Sequence, residues 1–152
     1  MSGRQPRLLR TRRGTGLRSG YPRGYNRWVI NSDHGKAVLD RLGPLNRELH
    51  QQIPEAYTGF RALQRGCLAP GALDAKTKEL MAFAIAVIKQ CDGCIASHAQ
   101  SAARAGATRE EAAEAIGVTF LMGGGPATVY GPRAYAAFCE FRGASGGPVV
   151  GP

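Results

Sequence analysis

Cys91, Cys94 and His98 fall within eight residues of one another, and Glu79 stands twelve residues before the first cysteine. Two thiols, an imidazole and a carboxyl are the side chains that thiol redox chemistry uses. If Asp92 opens a helix, Cys94 lies in its first turn, His98 lies on the same face four residues later, and Cys91 sits at the helix mouth. The unsatisfied amides of a first turn stabilise a thiolate over a thiol, which makes Cys94 the better nucleophile candidate. Three uses of the pair stay open on spacing alone. One is redox catalysis by an exposed thiolate with a resolving partner close by. Another is a zinc site, for which His98 is the only nearby third ligand, since Cys67 and Cys139 show no paired spacing. The third is a structural pair. Taken separately, Glu79 reads as a solvated first-turn acid, and Cys67 and Cys139 read as small buried hydrophobes.

The elements around these residues must bring them together. Leu80 to Ile88 is an unbroken apolar run, too short to cross a membrane and rich in helix formers. It predicts a helix buried on most sides. If that helix turns back near Gln90, Glu79 lies about ten residues from the corner and His98 about six, an offset of roughly 6 Å at the helical rise. Two side chains can span that, so an acid, an imidazole and a thiol pair can connect. An imidazole titrating near neutrality can exchange a proton with a thiol, and Glu79 can hold its tautomer.

The spacing Glu79, eleven residues, Cys91, two, Cys94, three, His98 resembles the core motif of the AhpD-like alkylhydroperoxidases, within the carboxymuconolactone decarboxylase superfamily. The similarity runs from about Leu45 to Arg142 and includes the Gly-Ala-Thr-Arg-Glu-Glu turn after the cysteine helix. AhpD proper carries a His just before the second cysteine, where this chain has Gly93. The resemblance implies a hydroperoxide substrate that oxidises Cys94 to a sulfenic acid, Cys91 as the resolving thiol that closes a disulfide, and Glu79 and His98 as a proton relay. It implies an external thiol or dithiol reductant, assembly as a homotrimer or homohexamer, no cofactor and no metal, and a pocket beside the thiols to which Met122, Thr128 and Tyr130 contribute. The wider superfamily also holds lactone decarboxylases that work without cysteines. That reading expects activity to survive loss of Cys94 but not of His98.

The chain's net charge of +9 suggests nucleic acid until it is divided: residues 1–28 hold eight Arg and no acid, leaving 12 basic and 11 acidic residues elsewhere. The arm, residues 1–31, is expected to be disordered. It reads as an inert extension, as a polyanion-binding arm in which Tyr21, Tyr25 and Trp28 add stacking surface, or as a targeting segment. No apolar run follows Arg12-Arg13, so no secretory or twin-arginine signal is expected, and the expected location is cytoplasmic.

Residues 32–142 predict a single all-α domain of about six helices, and residues 143–152 a flexible tail. Ser32 or Asp33 is expected to cap a helix that Gly43-Pro44 ends, with a further turn or two over Leu45 to Gln52. Pro54 suits the start of a helix whose Ala56, Tyr57, Phe60 and Leu63 share an apolar face. Asp74 is the expected N-cap of the Glu79 helix. Small residues after His98 permit close packing until Gly106. Thr108 to Glu111 fits a capping box for a helix turning Ala112, Ala115, Ile116, Val118 and Phe120 inward. Gly123 to Gly125 break that helix, and the last one, through Ala127, Val129, Tyr130, Tyr135 and Phe138, is expected to kink or restart at Gly131-Pro132.

Overall fold

The computed structural model describes residues 33–144, and the basic arm and residues 145–152 lie outside them. Six helices follow one another: α1 (Lys36–Gln52), α2 (Pro54–Leu68), α3 (Ala75–Ile88), α4 (Asp92–Arg104), α5 (Arg109–Gly123) and α6 (Gly125–Ala144). No strand occurs among the described residues, as the lack of period-two alternation requires. The all-α reading holds.

Helices α3 to α6 enclose the core, in which Phe83, Val87, Ile95, Ile116 and Phe138 interlock. The Phe83 and Phe138 rings meet at 6.2 Å in a tilted arrangement. Fully buried Ala99 and Ala102 on α4, the helix carrying the thiols, let α3 and α6 approach closely.

The local signals behave as their chemistry dictates. Asp74 Oδ1 accepts the Thr77 amide at 2.7 Å. Thr108 and Glu111 exchange side-chain and backbone hydrogen bonds in a full capping box. Gly106, at φ +90°, ends α4, with Ala107 N–H reaching Ala102 O at 3.0 Å and Gly106 N–H reaching Ala103 O at 3.2 Å, a Schellman closure. Lys76 Nζ bridges α3 to α5 at Glu111 Oε1, 2.6 Å away.

Thr77's amide holds Asp74 below the usual carboxylate range, and the Lys76 ammonium, followed by the Thr108 amide, does the same for Glu111. Both pKa values are lower folded than unfolded. The stabilisation is therefore complete above the ordinary values of 3.8 and 4.5 and is lost as pH falls through the folded ones. We expect the melting temperature to drop on acidification below that window, and the drop to be shallower in Glu111→Gln. Thermal melts across pH 2.5 to 6 check this; equal slopes would contradict it.

Several expectations are corrected. Gly43-Pro44 does not end the first helix, because α1 runs through both. The carbonyl that Pro44 leaves without a donor belongs to Asp40, an exposed residue, so water can satisfy it. Ser32 lies outside the described residues, and Asp33 does not cap α1. Its N-cap is Gly35, without a side-chain hydrogen bond, and Glu140 Oε2 on α6 accepts the Lys36 amide at 3.2 Å. Gly131-Pro132 likewise lies inside an unbroken α6. Gly131 serves close approach: a β-carbon there would come within 2.7 Å of the Phe120 ring and 2.9 Å of Ile116.

Burial departs furthest from expectation. No residue of α2 is buried, so the predicted face of Ala56, Tyr57, Phe60 and Leu63 lies at the surface. Val118 and Phe120 are exposed rather than inward, and Met81, Ile85 and Ile88 expose one side of the apolar run. Cys139 is buried as expected, but Cys67, on the uncovered α2, is exposed. Helical periodicity marks a face that wants a partner without saying which partner covers it.

Candidate active site

The corner before the cysteines is a tight one. Gln90 adopts φ 54°, left-handed backbone that a side chain disfavours, while Cys91 N–H reaches back to Ala86 O at 3.2 Å and Gln90 N–H to Val87 O at 3.0 Å. The same closure that glycine makes after α4 is made here by glutamine. It turns the chain directly into Cys91, the N-cap of α4. Gln90→Gly should relieve the strain and raise stability by about 0.5–1 kcal/mol, read as a shifted urea midpoint. A midpoint that falls would show that the turn carries no strain.

Cys91 and Cys94 form a disulfide, with their Cα atoms 5.2 Å apart. Cys91 Sγ accepts the Cys94 amide at 3.2 Å, so that first-turn amide is spent on the first sulfur. Cys94 is exposed and Cys91 half-buried. That exposure could not be read from the sequence.

Glu79 and His98 meet directly, with Glu79 Oε2 2.7 Å from His98 Nδ1. An ionised carboxylate only accepts, so Nδ1–H donates to it and Nε2 is left as the nitrogen free to take or give a proton. Their side chains are 13% and 21% exposed, enough to screen the pair from bulk water while leaving a route to it. The Glu79 and His98 side chains span the axial offset that the spacing allowed. Thus the structure joins Glu79 to His98 and Cys91 to Cys94, and places His98 one turn along α4 from Cys94.

Other expected pocket residues are engaged locally. Thr128 Oγ1 donates to Gly125 O at 2.7 Å, Tyr130 packs on the core with the Arg133 guanidinium 4.9 Å over its ring, and Met122 is 76% exposed. Among the described residues no group of three or more His, Cys, Asp or Glu side chains is placed to hold a metal ion.

One neighbour of the site was not foreseen. Leu42 Cδ1 lies 2.8 Å from where a β-carbon on Gly93 would be, so α1 closes against the turn between the two sulfurs. Only the third dimension brings residue 42 to residue 93. The Gly between the cysteines was the available signal, since a missing side chain marks a point of close approach.

Comparison with known proteins finds relatives in both sequence and fold. The family model described as the carboxymuconolactone decarboxylase family matches residues 54–138. An uncharacterised protein of Cupriavidus necator is 41% identical over 101 residues, covering 64% of this chain and 89% of that protein. A crystal structure of a carboxymuconolactone decarboxylase family protein from Legionella pneumophila is 42% identical, covers 73% of this chain and 99% of its own, and superposes with a TM-score of 0.70. A second, from Thermotoga maritima and described as having a possible part in the antioxidative response, is 30% identical, covers 69% and 92%, and has a TM-score of 0.60.

Proposed function

Since this chain belongs to the carboxymuconolactone decarboxylase family, we propose that it is a CxxC-dependent peroxidase that reduces hydroperoxides and is recycled by an external thiol or dithiol. The observation that carries this reading is the Cys91–Cys94 disulfide at a helix mouth, one turn from an imidazole already paired with a carboxylate. The description of the Thermotoga maritima relative points the same way.

In this mechanism His98 Nε2 accepts the Cys94 proton while Glu79 steadies the imidazole. The thiolate attacks the terminal peroxide oxygen, the O–O bond breaks, and the alkoxide leaves with the proton from His98 as an alcohol. Cys94 is now a sulfenic acid. Cys91 attacks its sulfur, the S–O bond breaks, water departs and the disulfide closes. Two thiols from the donor then reopen it.

The test mixes reduced protein with one equivalent of an organic hydroperoxide and follows thiol loss and peptide mass. Rapid loss of two thiols, mapped to Cys91 and Cys94, is the expected result. If both persist, peroxide is the wrong substrate. A lactone decarboxylase would then be the better reading, with activity retained in Cys94→Ser and lost with His98.

Assembly is part of the proposal. Phe60 and Leu63 on α2 and Val118, Leu121 and Met122 on α5 are 61–84% exposed. A shallow groove of about 490 Å³ runs between Asn46, Ile53, Tyr57 and Phe60. A 15-residue helix with no buried residue gains little from its own chain, and apolar surface on this scale is what subunit contacts cover. We expect a homotrimer or homohexamer by light scattering, and Leu121→Glu or Phe60→Glu to dissociate it. A monodisperse wild-type monomer would contradict this. No described helix is long and apolar enough to cross a membrane. The polyanion-binding alternative concerns residues 1–28, outside the described part, and predicts salt-sensitive binding that their deletion abolishes.

A further inference from the structure

The two sulfurs of the disulfide are not equivalent, and we propose that its reduction is directional: the donor's thiolate attacks Cys94 Sγ, and Cys91 is the leaving group. The inference rests on the redox reading above and adds which sulfur the reducing partner meets.

Three observations carry it. Cys94 is exposed while Cys91 is half-buried. Leu42 of α1 closes on Gly93, so the turn between the sulfurs is covered from that side. The Cys94 amide donates to Cys91 Sγ at 3.2 Å, and Cys91 holds the N-cap position that the positive end of α4 faces. Exchange is fastest when the attacked sulfur is accessible and the departing one is stabilised as a thiolate. Here those properties are divided between the two residues.

A dithiol donor loses a proton, and its thiolate bonds to Cys94 Sγ as the Cys91–Cys94 bond breaks. The electron pair leaves on Cys91, whose thiolate keeps the Cys94 amide as donor. The donor's second thiol, deprotonated in turn, attacks the donor sulfur of the mixed disulfide and expels Cys94. The donor becomes a disulfide, two electrons enter the protein, and its two sulfurs take up the two protons. The same polarity suits the oxidative half. Cys91 Sγ, with the Cys94 amide to stabilise it as it loses its proton, attacks the sulfenic sulfur, whereas Cys94, with less stabilisation of its thiolate, is the stronger nucleophile once His98 has taken its proton.

The experiment uses the full chain in its disulfide form. It is mixed with glutathione, quenched with N-ethylmaleimide at sub-second times, and digested for peptide mass mapping. Glutathione on Cys94 with maleimide on Cys91, favoured at least tenfold over the reverse, is expected; glutathione on Cys91, or an even split, overturns the assignment. Iodoacetamide alkylation against pH gives an independent readout. The Cys91 thiol in Cys94→Ser, which keeps the amide at position 94, should ionise at lower pH than the Cys94 thiol in Cys91→Ser, and the opposite order also overturns it. Peroxidase failure is separable: glutathione on Cys94 without hydroperoxide turnover upholds directionality and sinks the peroxide reading, while turnover with glutathione on Cys91 does the reverse.

Discussion

Cys94→Ser is expected to lower kcat/KM for hydroperoxide reduction by at least ~10³-fold, because a serine hydroxyl is neither ionised near neutral pH nor able to close a disulfide. The fold should be kept. Cys94 is exposed and contributes nothing to the core, so the loss reports chemistry rather than unfolding. Cys91→Ser should behave differently. It retains Cys94, so one equivalent of peroxide should still be consumed and a sulfenic acid should accumulate, trappable with dimedone, while turnover stops for want of the resolving thiol. Steady-state turnover in Cys94→Ser within tenfold of wild type would remove the thiol mechanism altogether.

His98→Ala is expected to slow peroxide-dependent oxidation of Cys94 by about 10²- to 10⁴-fold, the usual contribution of a positioned general base. Glu79→Gln should cost less, about 10- to 10²-fold. Its amide can turn an NH₂ toward Nδ1 and favour the wrong tautomer, but it keeps the shape of the contact with His98, 2.7 Å in the native protein. Stopped-flow oxidation of the reduced variants at fixed pH measures both. Since the pair is partly buried at 13% and 21% exposure, each variant also needs a thermal melt to show that it remains folded. Folded variants oxidising within twofold of wild type would remove the proton relay from the mechanism.

Much of the site was legible because its residues sit close in sequence. Cys91, Cys94 and His98 share one helix, where a spacing of three and four residues translates directly into neighbouring positions. The caps were legible for the same reason: Asp74, Gly106 and the Thr108–Glu111 pair each act within four residues of themselves. Glu79 is the intermediate case. Its partner lies 19 residues away, and the spacing allowed contact only if the corner came where Gln90 puts it. The prolines misled because backbone preference at Pro44 and Pro132 is a local cost, and the contacts made by the rest of each helix outweigh it.

The sequence by itself determined an all-helical domain, the caps at Asp74, Gly106 and Thr108, and a thiol pair at a helix mouth with an imidazole one turn along. These are consequences of short-range periodicity and hydrogen bonding. Tertiary structure alone decided that Glu79 reaches His98, that Leu42 sits on Gly93 and Glu140 on the start of α1, and that the apolar faces of α2 and α5 remain uncovered. Each of these depends on where whole helices lie relative to one another. That arrangement is set by packing summed over the bundle, and no single stretch of residues encodes it.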